Sequence, residues 1–474
     1  MMTSSYQRSA EQLRRLKLAA VVAAIAVSFV VAMAVPLLSK VQSRVVQMLS
    51  AHAMYVPFLV LGGAAALWFF LKFPEIAVSL FYVVGFFKGD PRLDATPVDL
   101  TVTVAVIMLL AMGLRLFFTP ASLHLPKDFI FYVPLLVLMF ISLTYTPDLA
   151  AGVDKTSRFI FLTLMGAISP FLLVDTPQRI RRFLAGLVLG GILMSVNSFF
   201  MLGGEDRLTA PSGETTALGF SAGLALVIIW AQWFPRMSLF SRVLLYPFIA
   251  VLMVALVGSG GRFANVGTVV CLGLTILFYR KLVVDLAIML GAGIAALPFV
   301  RIPAASLDYL ASLAHPHQAF GTRTDLMEFG LRTFLEHPLF GVGIQGYRYV
   351  TPNPLTYNFP HNLLLELGAE LGIFAVIAFL ALAVCSFRAM FRVLREAYLE
   401  NIVLYRTVFL ILILTCMDAS VSGELNNDRL LFFMLSMPFV LERIVWKENT
   451  ARAEAGEMVV FPREHADFES AYSN

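Results

Sequence analysis

Residues 361–387 read HNLLLELGAELGIFAVIAFLALAVCSF. After Glu370 nothing in this stretch is charged, and a helix needs roughly 20 mostly apolar residues to cross the hydrocarbon core of a bilayer. Comparable runs lie at 18–38, 54–71, 74–87, 98–118, 129–145, 157–174, 183–203, 215–234, 242–258, 263–279, 282–300, 402–420 and 428–445. That makes about fourteen candidate spans, or about twelve if the short 74–87 run and a neighbour merge or lie re-entrant. Long apolar runs, rather than weakly alternating ten-residue ones, point to helices and not to an outer-membrane barrel. The whole chain is 59% hydrophobic and 14% charged, which excludes an ordinary soluble domain. An all-α polytopic membrane protein is expected.

Outward from 361 the pattern breaks. Residues 301–360 form the one long polar stretch between spans and carry Arg323, Arg332, His337 and Arg348. The chain therefore divides into N-terminal spans (1–300), a long loop with short helices (301–360), C-terminal spans (361–446) and a polar tail (447–474). Counting crossings from a cytoplasmic N-terminus puts Arg179/Arg181/Arg182, Arg236/Arg242, Arg280/Lys281 and Arg388/Arg392/Arg395 inside. The 301–360 loop then lies outside, with more arginines than that face otherwise receives. Either it serves an anionic ligand or its length exempts it from the charge bias.

Three local patterns carry candidate chemistry. Asp325 and Glu328 sit in a capping arrangement before Leu326, Phe329, Leu331, Phe334 and Leu335, so a short amphipathic surface helix is expected to begin there, with Arg323 just ahead of it. Pro338 should end it and Gly341-Val342-Gly343 should turn the chain. Gly258-Ser259-Gly260-Gly261-Arg262 is a small-residue turn before a span, suited to close backbone approach by a phosphate or to a snorkelling arginine. His361 opens the next span, where an imidazole serves as a base near neutrality or as a cap. Glu366 and Glu370 behind it are costly unless they face protein or water, and His337 beside Pro338 fits a helix-end role.

Other classes recede. Cys271, Cys385 and Cys416 sit in apolar runs without metal-ligand spacing, no basic run is interleaved with aromatics for nucleic acid, and no inverted repeat or broken-helix pair marks a transporter. No Asp-x-Asp falls in the outside loops, so no metal or other cofactor is expected, although Glu424 and Asp428 lie on the last of them.

Ser259-Gly-Gly-Arg262, the Arg323 segment, His337-Pro338-Leu-Phe-Gly341-Val-Gly343 and Pro360-His361-Asn362 through Gly372 together resemble bacterial O-antigen ligases of the ligase/polymerase superfamily. Phe73-Pro74-Glu75 through Lys88-Gly89-Asp90 resembles the N-terminal part of such proteins. The ligase pattern has His, then Asn, Ser or Gln, then a Gly where Gly372 stands and Gly, Thr or Tyr at the place of Ala375; Ala375 departs from it. The resemblance implies a GT-C-like architecture in the inner membrane with a site facing the periplasm. It implies an undecaprenyl-diphosphate-linked donor glycan, a lipid A–core acceptor, and contact with membrane lipids. Arg262 and Arg323 would hold the diphosphate and His361 would take the acceptor proton, with Arg207, Arg348, Asn362 and His337 as further substrate contacts.

Overall fold

The computed structural model describes residues 56–87, 100–118, 125–200, 207–296, 304–311, 316–351, 359–398 and 400–456. The 18–38 run and Lys88-Gly89-Asp90 lie outside these. Among the described residues every regular element is helical. In chain order they are α1 (Val56–Lys72), α2 (Pro74–Val84), α3 (Leu100–Phe118), α4 (Tyr132–Ser142) and α5 (Leu149–Leu173). Next come α6 (Pro177–Phe200), α7 (Thr215–Arg236), α8 (Leu239–Gly258), α9 (Arg262–Phe278), α10 (Leu282–Ala296) and α11 (Ala304–Ala311). The last are α12 (Pro316–Glu336), α13 (Tyr347–Val350), α14 (Leu363–Leu371), α15 (Ile373–Glu396), α16 (Ile402–Ala419) and α17 (Arg429–Glu454).

Seven of these helices are long and apolar enough to cross a membrane, eight if the bent pair 61–87 counts as one. With the apolar surfaces they leave exposed, such as Phe117, Phe118, Leu189, Val269 and Leu277, they describe a multi-pass membrane protein. Exposed apolar side chains on such helices meet acyl chains, so their exposure carries no penalty there.

Helix α7 is the centre of the bundle, with 89% of its most apolar stretch buried, packed by α6, α8, α9 and α16. Its Gly219 and Gly223, one turn apart, allow that approach. A Cβ at Gly219 would stand 2.6 Å from Ser259 Oγ, and one at Gly223 would collide with the Thr268 hydroxyl. Small residues at such spacing bring membrane helices close, where dispersion and not water drives association. At one end of the bundle the basic loops are tied down. Arg182 pairs with buried Glu75 at 2.9 Å, Arg179 with Asp175 at 2.6 Å, and Arg181 donates to Asn401 at 2.6 Å.

Three sequence expectations are corrected. The 361–387 run is not one helix: it breaks at Gly372 (φ 80°) into α14 and α15. The cause is the His337–Gly343 turn, which seats itself against the break. Ile373 N donates to Pro338 O at 2.8 Å, Val342 N to Ala369 O at 2.8 Å and Gly343 N to Glu370 O at 3.0 Å. Gly341 (φ 66°) admits no Cβ, since its α-carbon lies against the Glu370 carbonyl. A broken helix therefore does exist, made by this turn.

The surface helix is longer than its capping signal suggested. α12 starts at Pro316, so Arg323 lies inside it and Asp325 caps nothing; a proline at the first helical position is favoured because its missing N–H is unneeded there. The 157–174 span likewise begins earlier, at Leu149, where the Asp148 side chain accepts from Ala151 N at 3.0 Å as N-cap.

Candidate active site

The site grows from the loop ahead of α14. Asn362 is the N-cap: its Oδ1 accepts from Leu365 N at 3.0 Å and its Nδ2 donates to Ser420 O at 2.8 Å. With both ends of that amide engaged, the residue before it is fixed. His361 adopts φ 55°, a conformation uncommon outside glycine, with its imidazole edge-on to Phe359 at 4.4 Å between centroids. Strain of this kind persists where surrounding contacts over-determine it.

Arg323 reaches the same place from α12. Its Nη1 donates to Val421 O at 3.2 Å and Ser422 Oγ at 3.3 Å, and its guanidinium lies 5.8 Å from the Phe263 ring centroid. Phe263 follows Arg262, the first residue of α9. The turn before it is built as its sequence implies: Gly260 has φ 65°, Ser259 Oγ accepts from Gly261 N at 3.1 Å, and Asn265 Nδ2 donates to Gly261 O at 2.8 Å.

Arg323 and His361 both line a cavity of about 980 Å³. Phe81, Phe86, Ala105, Leu109 and Leu162 supply an apolar wall, while Arg158, Arg429, Asp154, Asp418 and Asp428 add charge. Burial, then the Arg323 charge, pulls the His361 imidazole down to about 4, so it is unprotonated at neutral pH. Burial and then Asp418 push the Asp428 carboxyl well above the usual carboxylate range. Among the described residues no group of three His, Cys, Asp or Glu side chains is arranged to hold a metal ion.

Behind this cavity lies a buried ionic cluster. Lys155 Nζ donates to Glu366 Oε1 at 2.6 Å and to Glu370 Oε2 at 2.7 Å, all three side chains 3% exposed or less. Glu366 Oε2 also accepts from Leu425 N at 2.8 Å, and Asn426 Nδ2 donates to Lys155 O at 3.2 Å. The ammonium thus ties α5 to α14, while the Glu366 carboxylate and the Lys155 carbonyl hold the 420–428 loop. Lys155→Met should destabilise the protein by roughly 3–5 kcal/mol, because two buried carboxylates lose their counter-charge; thermal unfolding of the detergent-solubilised protein reads this. An unchanged midpoint would mean that the carboxylates are already neutral.

Residues 247–380 match the family model described as O-antigen ligase. That segment is similar to the O-antigen ligase family. No curated protein matches the chain. The match supports an enzyme of the ligase/polymerase type acting on lipid-linked glycans in lipopolysaccharide biosynthesis.

Of the residues expected at the site, the structure brings Arg323 and His361 into one cavity, with Arg262 beside Phe263. Arg207 precedes Leu208, whose N donates to Gly258 O at 3.0 Å, so its segment adjoins the 258–262 turn. Asn362 serves the cap described above. His337 is exposed at the end of α12, its carbonyl accepting from Gly341 N at 3.0 Å. Arg348 lies on α13 with Tyr349, whose hydroxyl donates to Asp148; Arg262, Arg207, Asn362, His337 and Arg348 are not among the residues lining the cavity.

Sequence reasoning missed Lys155 and Arg158, which precede residues 247–380; Lys155 stands in what reads as a loop before residue 157, and Arg158 at the very start of the 157–174 run. Two signals were available: Asp148 as an N-cap, and Asp154 four residues before Arg158, a helical ion-pair spacing. Asp418, Asp428 and Arg429 follow that matched segment. Much of the cavity wall is therefore contributed by α2, α3, α5, α7, α16 and α17, outside the matched segment.

Proposed function

We propose that this protein is an O-antigen ligase. It transfers a polysaccharide from undecaprenyl diphosphate to an outer-core sugar hydroxyl of lipid A–core, at the periplasmic face of the inner membrane. The observation that carries this reading is the convergence of Arg323 and His361 on one cavity that also has an apolar wall. A lipid diphosphate needs all of these: guanidinium for its oxygens, apolar surface for its first isoprenoid units, and a base beside the sugar.

In the reaction the acceptor hydroxyl oxygen attacks the anomeric carbon while the bond from that carbon to the diphosphate oxygen breaks. The lipid diphosphate leaves with the electron pair and the hydroxyl proton passes to the imidazole of His361. A single displacement inverts the anomeric centre. Diphosphate is a good leaving group, so charge stabilisation and not protonation is the main requirement; Arg323 and Arg262 meet it, with a metal-independent mechanism as the consequence. We further take the chain as a GT-C-like bundle of about fourteen crossings, each apolar run having a helix where it is described.

Ala375, fully buried on α15 and departing from the ligase pattern, keeps an O-antigen polymerase in view. That enzyme would use a second lipid-linked glycan as acceptor. Purified protein given labelled donor in the presence of EDTA, with either lipid A–core or lipid-linked glycan, separates the two. Label on lipid A–core is the expected result; chain growth on the lipid carrier would make it a polymerase. Loss of both activities until Mg²⁺ is restored would overturn the metal-independent mechanism.

A further inference from the structure

Residues 301–360 read as one polar loop outside the membrane, yet the end of α12 and the turn after it carry a row of open apolar side chains. Leu331, Leu335, Leu339 and Phe340 are all exposed, Leu335 at 67%. We propose that this row is inserted among the acyl chains of the bilayer leaflet on the side of the site, as a wedge that sets the height of α12.

The level of the row follows from its neighbours. Helices α12 and α14 lie side by side and run in the same direction. A Cβ at Gly330 would stand 2.9 Å from Pro360 and 3.6 Å from Leu365, and one at Gly368 would stand 3.0 Å from the Phe334 ring. One turn on, Pro338 O accepts from Ile373 N at 2.8 Å, and the Phe340 ring lies 6.1 Å from that of Phe374. The turn after α12 is therefore level with the first turn of α15. That helix is uncharged from Ile373 to Phe387 and meets its first cation at Arg388. From Phe374 to Arg388 it rises roughly 21 Å at 1.5 Å per residue, short of the roughly 30 Å thickness of the hydrocarbon core. With Arg388 at the opposite boundary, Phe374 and the turn beside it fall within the core.

The surface is continuous with one that already meets lipid. Phe374 and Ile377 are exposed on the membrane-facing side of α15, and the contact between Phe340 and Phe374 joins the row to that side. The backbone also suits hydrocarbon, where a turn has to satisfy its own polar groups. His337 N donates to Thr333 O at 3.0 Å and Gly341 N to His337 O at 3.0 Å. Val342 N and Gly343 N go to the Ala369 and Glu370 carbonyls, and Pro338 has no N–H to satisfy.

The polar border is equally plain. Arg332 and Glu336, each next to a leucine of the row, pair at 2.9 Å and are 74% and 55% exposed. With exposed His337 they form the flank from which amphipathic side chains reach the headgroups. Arg323 stands on the same helix, roughly three turns before Leu335, so whatever holds the row also holds the guanidinium that lines the cavity.

The test is one of depth, on the full chain in nanodiscs of phosphatidylethanolamine and phosphatidylglycerol. Nitroxide labels are placed one at a time at Leu335→Cys, Phe340→Cys, Ile377→Cys and Arg332→Cys, in a Cys271→Ala, Cys385→Ala, Cys416→Ala background. All four positions are exposed, so the labels need no repacking. Oxygen concentrates in hydrocarbon and a neutral nickel chelate in water, so the ratio of their collision rates with a label reads its depth. Labels at 335 and 340 should favour oxygen as the label at 377 does, with the ratio reversed at 332. A ratio at 335 and 340 equal to that at 332 would place the row in water and overturn the wedge. Low collision with both reagents, together with dipolar broadening between labels, would show a second copy of the chain covering the row and would overturn it too.

Discussion

Arg323→Lys is expected to lower glycan transfer by two to three decades, about 3–4 kcal/mol of transition-state stabilisation. Charge is kept, so the loss isolates geometry. The guanidinium lies over the Phe263 ring while its Nη1 holds the Val421 carbonyl and the Ser422 hydroxyl. That arrangement brings α12, the start of α9 and the 420–428 loop to one point. A lysine ammonium is a single, strongly hydrated charge on a flexible stem and cannot hold that loop while binding two diphosphate oxygens. The control is Arg332→Lys on the same helix, whose side chain is 74% exposed and pairs with exposed Glu336; it should transfer at close to the parental rate. Equal rates for the two variants would remove Arg323 from the reaction.

What the sequence disclosed of this site follows from how local each feature is. The Gly258–Arg262 turn is made by residues adjacent in the chain and was readable as a turn; at the start of α14 the sequence offered His361 as a base or cap, whereas Asn362 is the cap. Arg323 was readable as a cation near an anion, but not its place inside α12, because Asp325 and Glu328 imitate a cap that Pro316 supersedes. Apolar runs marked most of the membrane helices. The break at Gly372 was hidden because its cause, the Pro338–Gly343 turn, is remote in sequence and acts through backbone hydrogen bonds. Glu366 and Glu370 signalled that a partner was needed. Nothing local could say that it was Lys155, more than two hundred residues earlier, since pairing across a bundle is a property of packing.

The cavity wall extends beyond the matched segment. Arg262, Arg323 and His361 lie within residues 247–380, but the apolar wall comes from α2, α3 and α5. Helix α14 is in turn anchored to α5 by the Lys155 cluster. On the proposed function, the N-terminal helices supply the surface for an isoprenoid tail and the ammonium that pairs with both carboxylates of α14.

His361→Ala should cost two to four decades in transfer, the usual contribution of a positioned base, and the wild-type pH profile should carry that residue's signature. The imidazole is drawn from 6.5 down to about 4, first by burial and then by Arg323. A base works in its unprotonated form, so activity falls only as pH drops through its pKa. In kcat/KM, which reports free enzyme, the acid limb should therefore lie near 4, well below an ordinary histidine. Bound donor places negative charge beside Arg323 and offsets its influence, so the limb in kcat should move upward. Arg323→Gln removes the second cause outright and should move the kcat/KM limb upward as well, in whatever activity remains. An acid limb that stays put in His361→Ala, or residual transfer at the parental rate in a protein that folds and inserts normally, would assign the base elsewhere.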